Sequence, residues 1–164
     1  MVPDTSGPLY LIQSFANTLG PGPDVDLLRT REEAAGWLRS AALLPDDAGL
    51  SNGEHAALLR LREAIRDVLV THANGRQDAP SATRLTRALA DGRLILTVDP
   101  GSAVELASAA RASYPNLVAL VAIAVAQAAA SGGWLRLKLC PAPNCGRAFH
   151  DESGSGRCAR HAAG

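Results

Sequence analysis

Leu58, Leu61, Ile65 and Val68 follow one another at intervals of three or four, with Arg60, Glu63 and Asp67 between them. That spacing predicts an amphipathic helix with one face in a core. Ser51 with Glu54 supplies a capping box at its start, and Asn74-Gly75 turns the chain after about Ala73. Thr30 and Glu33 repeat the device ahead of a helix that carries Trp37 and Leu38 and stops before Pro45. Ser81 is placed to cap a shorter helix bearing Leu85 and Leu89, ended by Asp91-Gly92. Ser102 with Glu105 makes a third capping box, and Pro115 suits the first turn of the helix that follows. Residues 117–130, LVALVAIAVAQAAA, are apolar on nearly every side and predict a buried core helix.

Residues 93–98, RLILTV, are short, apolar and bounded by turn signals, the best strand candidate in the chain. A strand needs a partner, and residues 11–15 or 135–139 are the two candidates. Residues 1–9 read as loose, and Gly20-Pro21-Gly22-Pro23 forces a loop after the apolar stretch 11–19. Ser131-Gly132-Gly133 ends the core helix and divides the chain into a helical domain, 1–133, and a small module, 134–164. Trp134, Leu135, Leu137 and Leu139 form an alternating apolar face if extended. With no long polar linker before them, the module is expected to pack on the domain rather than swing. The expected fold class is mainly α, a helical N-terminal domain with one short strand pair followed by a small C-terminal metal module.

Composition sharpens this picture. At 164 residues and 47% hydrophobic content a packed core is affordable, but with six aromatic residues it must be filled by Leu, Val, Ile and Ala. Sixteen basic and sixteen acidic residues cancel, which argues against strong non-specific binding to nucleic acid. The balance is uneven: residues 1–133 hold eleven bases against fourteen acids, and residues 134–164 five against two, so the module is mildly basic. No signal-peptide pattern opens the sequence, and the apolar run 117–130 is too short to span a bilayer and contains Gln127. A cytoplasmic protein without membrane attachment is expected, in a compartment that keeps thiols reduced.

All three cysteines lie in the module, as C-x4-C-x12-C-x2-H over Cys140, Cys145, Cys158 and His161. Two close pairs at the ends of a short excursion suit a tetrahedral zinc ion, whereas unreactive core cysteines would scatter and a disulfide framework would call for an even count. Gly146 permits the positive backbone dihedral of a knuckle, and Pro141 and Pro143 stiffen the loop before it. The fourth ligand is open among His161, His150 and Asp151, with paired spacing in favour of His161. Three thiolates and an imidazole around Zn2+ leave one net negative charge, which Arg136, Lys138, Arg147 and Arg157 could offset. Four protein ligands close the site, so the zinc is structural and contributes about 10 kcal/mol or more to folding of the module. No G-x-S-x-G, P-loop, G-x-G-x-x-G or H-E-x-x-H is present, and no enzymatic activity is expected. His55 and His72 are too far apart on one helix to share a metal, and Arg60, Arg62 and Arg66 beside Glu63 and Asp67 read as a salt-bridged face.

The segment LRLKLCPAPNCGRAFHDESGSGRC resembles the CGNR zinc finger. FANTL, LLRTREEAAGWL and the Ala-rich helix before the finger resemble the ABATE domain that precedes it in bacterial stress-induced transcription regulators. The resemblance spans most of the chain. It implies a mostly helical domain that senses a ligand or stress signal and a treble-clef-like finger that binds DNA. Cys140, Cys145 and Cys158 match the family's first three ligands, Phe149 the aromatic after the knuckle, and Asp151 with Ser153 its Asp-x-Ser. The family then continues with Trp before the third cysteine, a fourth cysteine inside Cys-Gly-Asn-Arg, and a basic helix. Here Gly156-Arg157 precedes Cys158, His161 is the candidate replacement for the cysteine, and ARHAAG has no basic helix. DNA contact through Arg147, Arg157 and Arg160 is the resulting expectation.

Asn17 and Thr18 occupy the family's FxNT position, implying an effector pocket, while turn chemistry before Gly20 gives them a turn or capping role. Two other functions fit the same residues. One is a protein-interaction or ligand-binding module with zinc as a structural clamp; the other is a thiol redox sensor that releases zinc on oxidation.

Overall fold

A computed structural model describes residues 7–22, 25–110 and 114–162. Five helices are described: α1 (Pro8–Ala16), α2 (Arg31–Ser40), α3 (Asn52–Asn74), α4 (Ala79–Leu89) and α5 (Tyr114–Ala130). Strands β1 (Leu94–Val98) and β2 (Val104–Ser108) form one antiparallel hairpin between α4 and α5. A single 3-10 turn (Trp134–Arg136) leads into β3 (Leu137–Leu139), which pairs antiparallel with β4 (Ala148–His150). The architecture is mainly α, as the sequence pattern implies, and the described residues form two small two-stranded sheets, β1–β2 in the helical domain and β3–β4 in the module, where the sequence predicts one strand pair.

The long helix α3 is the centre of the body. Leu58, Leu61, Ile65 and Leu69 are fully buried along one stripe, each worth about 1.5–3 kcal/mol of transfer free energy. Both leading capping boxes form: Thr30 Oγ1 accepts the Glu33 amide while Glu33 returns a carboxylate to the Thr30 amide, and Ser51 with Glu54 does the same. Gly75 closes α3 in the left-handed conformation. Helix α5 buries Leu117, Val118, Val121 and Ala128 against α1, α4 and β2, with Pro115 in its first turn. Among the described residues no helix is long and apolar enough to cross a membrane.

Several expectations are corrected. The strand over 93–98 forms, but its partner is neither 11–15, which is helical in α1, nor 135–139. It pairs with 104–108, the stretch read as a capped helix start. The reason is local. Asp99 accepts the Ala103 amide on Oδ1, and Ser102 sits at φ +68, outside the extended conformation that an N-cap requires, so the chain reverses there and Val104 and Leu106 alternate beside Leu96. Ser81 lies inside α4 rather than capping it; Asp78 precedes the helix and accepts the Ser81 hydroxyl. The alternating face over 134–139 is broken by the 3-10 turn, which leaves Leu135 69% exposed while Leu137 is fully buried. Of the loose stretch 1–9, residues 8 and 9 belong to α1 and residues 1–6 lie outside the described residues, as does Pro23 of the Gly-Pro run.

The salt-bridged face on α3 holds only in part. Arg62 is 4% exposed and turns inward, its guanidinium forked onto Asp26 at 2.5 and 3.0 Å, while its Nε meets Glu63. Asp26 also accepts the Leu28 amide, so this pair pins the 20–28 loop to α3. The hydrogen bond from Arg62 holds the Asp26 carboxyl below the usual carboxylate range despite partial burial.

Candidate metal centre

The segment 134–162 is fastened to the body at three points. β3 lies on α3 and β4 on α1, and Leu137 and Ala148 are buried in the main hydrophobic core. His72 of α3 donates Nδ1–H to the Leu137 carbonyl at 2.8 Å and packs edge-on against Trp134, with ring centres 5.0 Å apart. Asn17 caps α1, and its carboxamide brackets Ala148: Nδ2 donates to the carbonyl at 2.9 Å and Oδ1 accepts the amide at 2.8 Å. Thr18 is 1% exposed; its hydroxyl donates to the Phe15 carbonyl and faces Arg62 Nη1. Arg66 completes the joint. Its Nη1 donates to the Ala16 carbonyl at 2.9 Å, and a Cβ on Gly146 would lie 3.2 Å from its Nη2.

On the far side of this joint Cys140, Cys145, Cys158 and His161 converge, with one ligand atom from each within 4.8 Å of all the others. Cys140 follows β3 directly, and its amide donates to the Arg147 carbonyl at 2.8 Å. Asn144 and Gly146 take φ of +59 and +53 around Cys145, the knuckle that Gly146 predicts. Cys158 and His161 sit on one turn closed by the His161 amide donating to the Cys158 carbonyl at 2.8 Å.

The separations test the donor set directly. Cys145 Sγ is 3.8 Å from Cys158 Sγ, and His161 Nδ1 is 3.4 Å from Cys158 Sγ and 3.6 Å from Cys140 Sγ. A tetrahedron with metal–sulfur bonds of about 2.3 Å has edges of about 3.8 Å, shortened slightly where nitrogen replaces sulfur. The residues therefore fit a zinc-sized ion. The three cysteines are buried, and among the described residues only Phe149 and Ala142 join their apolar cluster, so it has little hydrophobic material of its own.

Electrostatics favour thiolate on the first cysteine. Burial opposes ionisation of Cys140, but the amides of Cys158 and Ala142 and the thiols of Cys158 and Cys145 outweigh it and bring the group down to about 6. Burial pushes the Cys145 thiol up, as does its neighbour Cys140. Asp151, one alternative fourth ligand, is engaged elsewhere: Oδ2 takes Lys138 Nζ at 2.8 Å and the Gly156 amide at 3.0 Å, and the lysine holds the carboxyl below its usual range. The other, His150, has Nδ1 3.4 Å from Glu152. Buried Nε2 of His150 and Oδ1 of Asp151 have no partner among the described residues.

Arg147, Arg157 and Arg160 are exposed, and among the described residues none is in an ion pair, in contrast to Lys138, Arg62 and Arg84. Sequence reasoning passed over His72 and Arg66 as parts of the joint. A histidine and an arginine on a helix carry no local signal of a partner 65 or 50 residues away.

Residues 10–132 match the family model ABATE, described as "Putative stress-induced transcription regulator", and the chain belongs to that family. Its description is of a regulator and not of an enzyme. The Cys3His cluster that follows the matched region is consistent with a CGNR zinc finger. No curated protein matches the chain.

Proposed function

We propose, with ABATE membership as the premise, that this chain is a cytoplasmic transcription regulator in which a zinc-held finger contacts DNA and the helical body responds to a small-molecule effector. Zinc held by Cys140, Cys145, Cys158 and His161 would fix the path of the 140–161 loop; it supplies rigidity and no reaction. The observation that carries the reading is the Cys3His donor set beside three exposed arginines that have no acidic partner among the described residues. Arg147, Arg157 and Arg160 then contact phosphates, which gives position on a duplex rather than sequence choice. Asn17 and Thr18 act where the effector signal passes. A ligand that competes for the Asn17 carboxamide must release Ala148, and with it the edge of β4.

Gel shift with zinc-loaded protein across a salt series tests this reading. Three phosphate contacts predict a log–log slope of about −3 at most, reduced by about one unit in Arg157→Ala. Absence of binding at low salt with zinc present contradicts the DNA assignment. A second reading, the finger as a clamp for a protein-interaction module, is favoured by the burial of Leu137 and Ala148 in the main core; it predicts a co-purifying partner and no shift.

A further inference from the structure

The hairpin β1–β2 carries the densest group of exposed aliphatic side chains among the described residues. The register pairs Leu96 with Leu106 and Val98 with Val104, so strand alternation puts Leu94, Leu96, Val98, Val104 and Leu106 on one face. Leu96, Val98 and Val104 are 68%, 66% and 62% exposed. Thr97 and Glu105 lie opposite each other on the other face. The hairpin is a built element. Its turn is closed by Asp99, whose amide donates to the Ala103 carbonyl and whose Oδ1 accepts the Ala103 amide, and its base is held close to α5 because Gly92 has no Cβ, which would come within 2.9 Å of the Ala119 amide nitrogen. A two-stranded sheet with both edges open and an uncovered aliphatic face is marginal in water by itself.

We infer that this face is the contact surface of a homodimer, in which the hairpins of two copies pack face to face. Three observations select a second copy as the occupant. The face contains no charged side chain, since Glu105 points away and Arg93 and Asp99 flank the strands, so two copies meet without like-charge repulsion, and the chain as a whole has no net charge to oppose them. The face is aliphatic on both strands, so the same patch on two copies can meet itself across a two-fold, the isologous arrangement of a homodimer. The five side chains expose on the order of 500 Å² per copy, so two copies cover about 1,000 Å² at most, the size of a weak, transient association.

Sedimentation velocity of the full zinc-loaded chain from about 1 to 100 µM tests the interface, a range that brackets the affinity expected of so small a contact. The wild-type chain should convert from monomer to dimer, with little dependence on salt because no charges meet. Leu96→Glu combined with Val104→Glu should raise the dissociation constant more than about a hundredfold. Its helical circular dichroism should stay unchanged, because those side chains already face water in the monomer. Val98→Lys should act in the same direction, and Thr97→Lys, on the other face, should leave the dimer intact. A wild-type chain that stays monomeric throughout, a dimer that persists in the double variant, or equal loss in Thr97→Lys overturns the inference.

Discussion

The helical body and the finger solve the same problem with opposite materials. Around α3 the chain buries some two dozen apolar side chains in one contiguous core, so order there comes from many small, replaceable contributions. The finger has three cysteines, Phe149 and Ala142, a cluster too small to order some thirty residues. Its four polar donors point at a common centre instead. The lesson is that the two regions should fail separately: the body by loss of packing, the finger by loss of one ion. The joint through Asn17, His72 and Arg66 determines how far one failure is felt by the other.

The largest effect should come from chelation. With the proposed zinc bound at the Cys3His cluster, a structural ion worth about 10 kcal/mol or more, its removal should unfold residues 140–161 while the helical signal of the body remains, read by amide exchange with circular dichroism. If the helices melt together with the finger, the division between the regions is wrong. Next in size is Ile65→Ala, a fully buried side chain whose truncation should cost about 2–5 kcal/mol in urea unfolding without changing zinc content. Loss of zinc in that variant would show that the body builds the metal site.

Asn17→Ala addresses the joint itself. It leaves both backbone groups of Ala148 without their partner and should cost about 1–3 kcal/mol, seen as faster exchange across β4 with the global melt little changed. A pH effect should be the smallest. Burial lowers the His72 pKa from its ordinary 6.5, so the fold favours the neutral ring. Stability from this group is complete above about pH 6.5 and is lost as pH falls toward the lower folded value, because the unfolded chain takes up the proton first. His72→Gln should flatten the slope of stability below about pH 6.5; an unchanged slope would remove His72 from the joint.

Much of this was legible from residue spacing. The α3 stripe, two capping boxes and the Cys3His set each rest on neighbours within a few residues or on a ligand pattern that only a few geometries satisfy. What escaped depended on competition or distance. Ser102 and Glu105 satisfy the wording of a capping box, but a turn around Asp99 and the alternation of Val104 and Leu106 outweigh it. The 3-10 turn at Trp134 is set by docking on His72, and the inward turn of Arg62 by Asp26, 36 residues away in the chain. A periodic pattern does not encode either contact.

Four side chains, Cys140, Cys145, Cys158 and His161, should build the finger around one metal ion. Metal analysis of the purified chain, with Cys158→Ser and His161→Ala alongside, tests it most directly. One equivalent of zinc in the wild type, loss in Cys158→Ser and at least a tenfold weakening in His161→Ala are predicted. A wild-type chain without zinc, or full retention in His161→Ala, would contradict it.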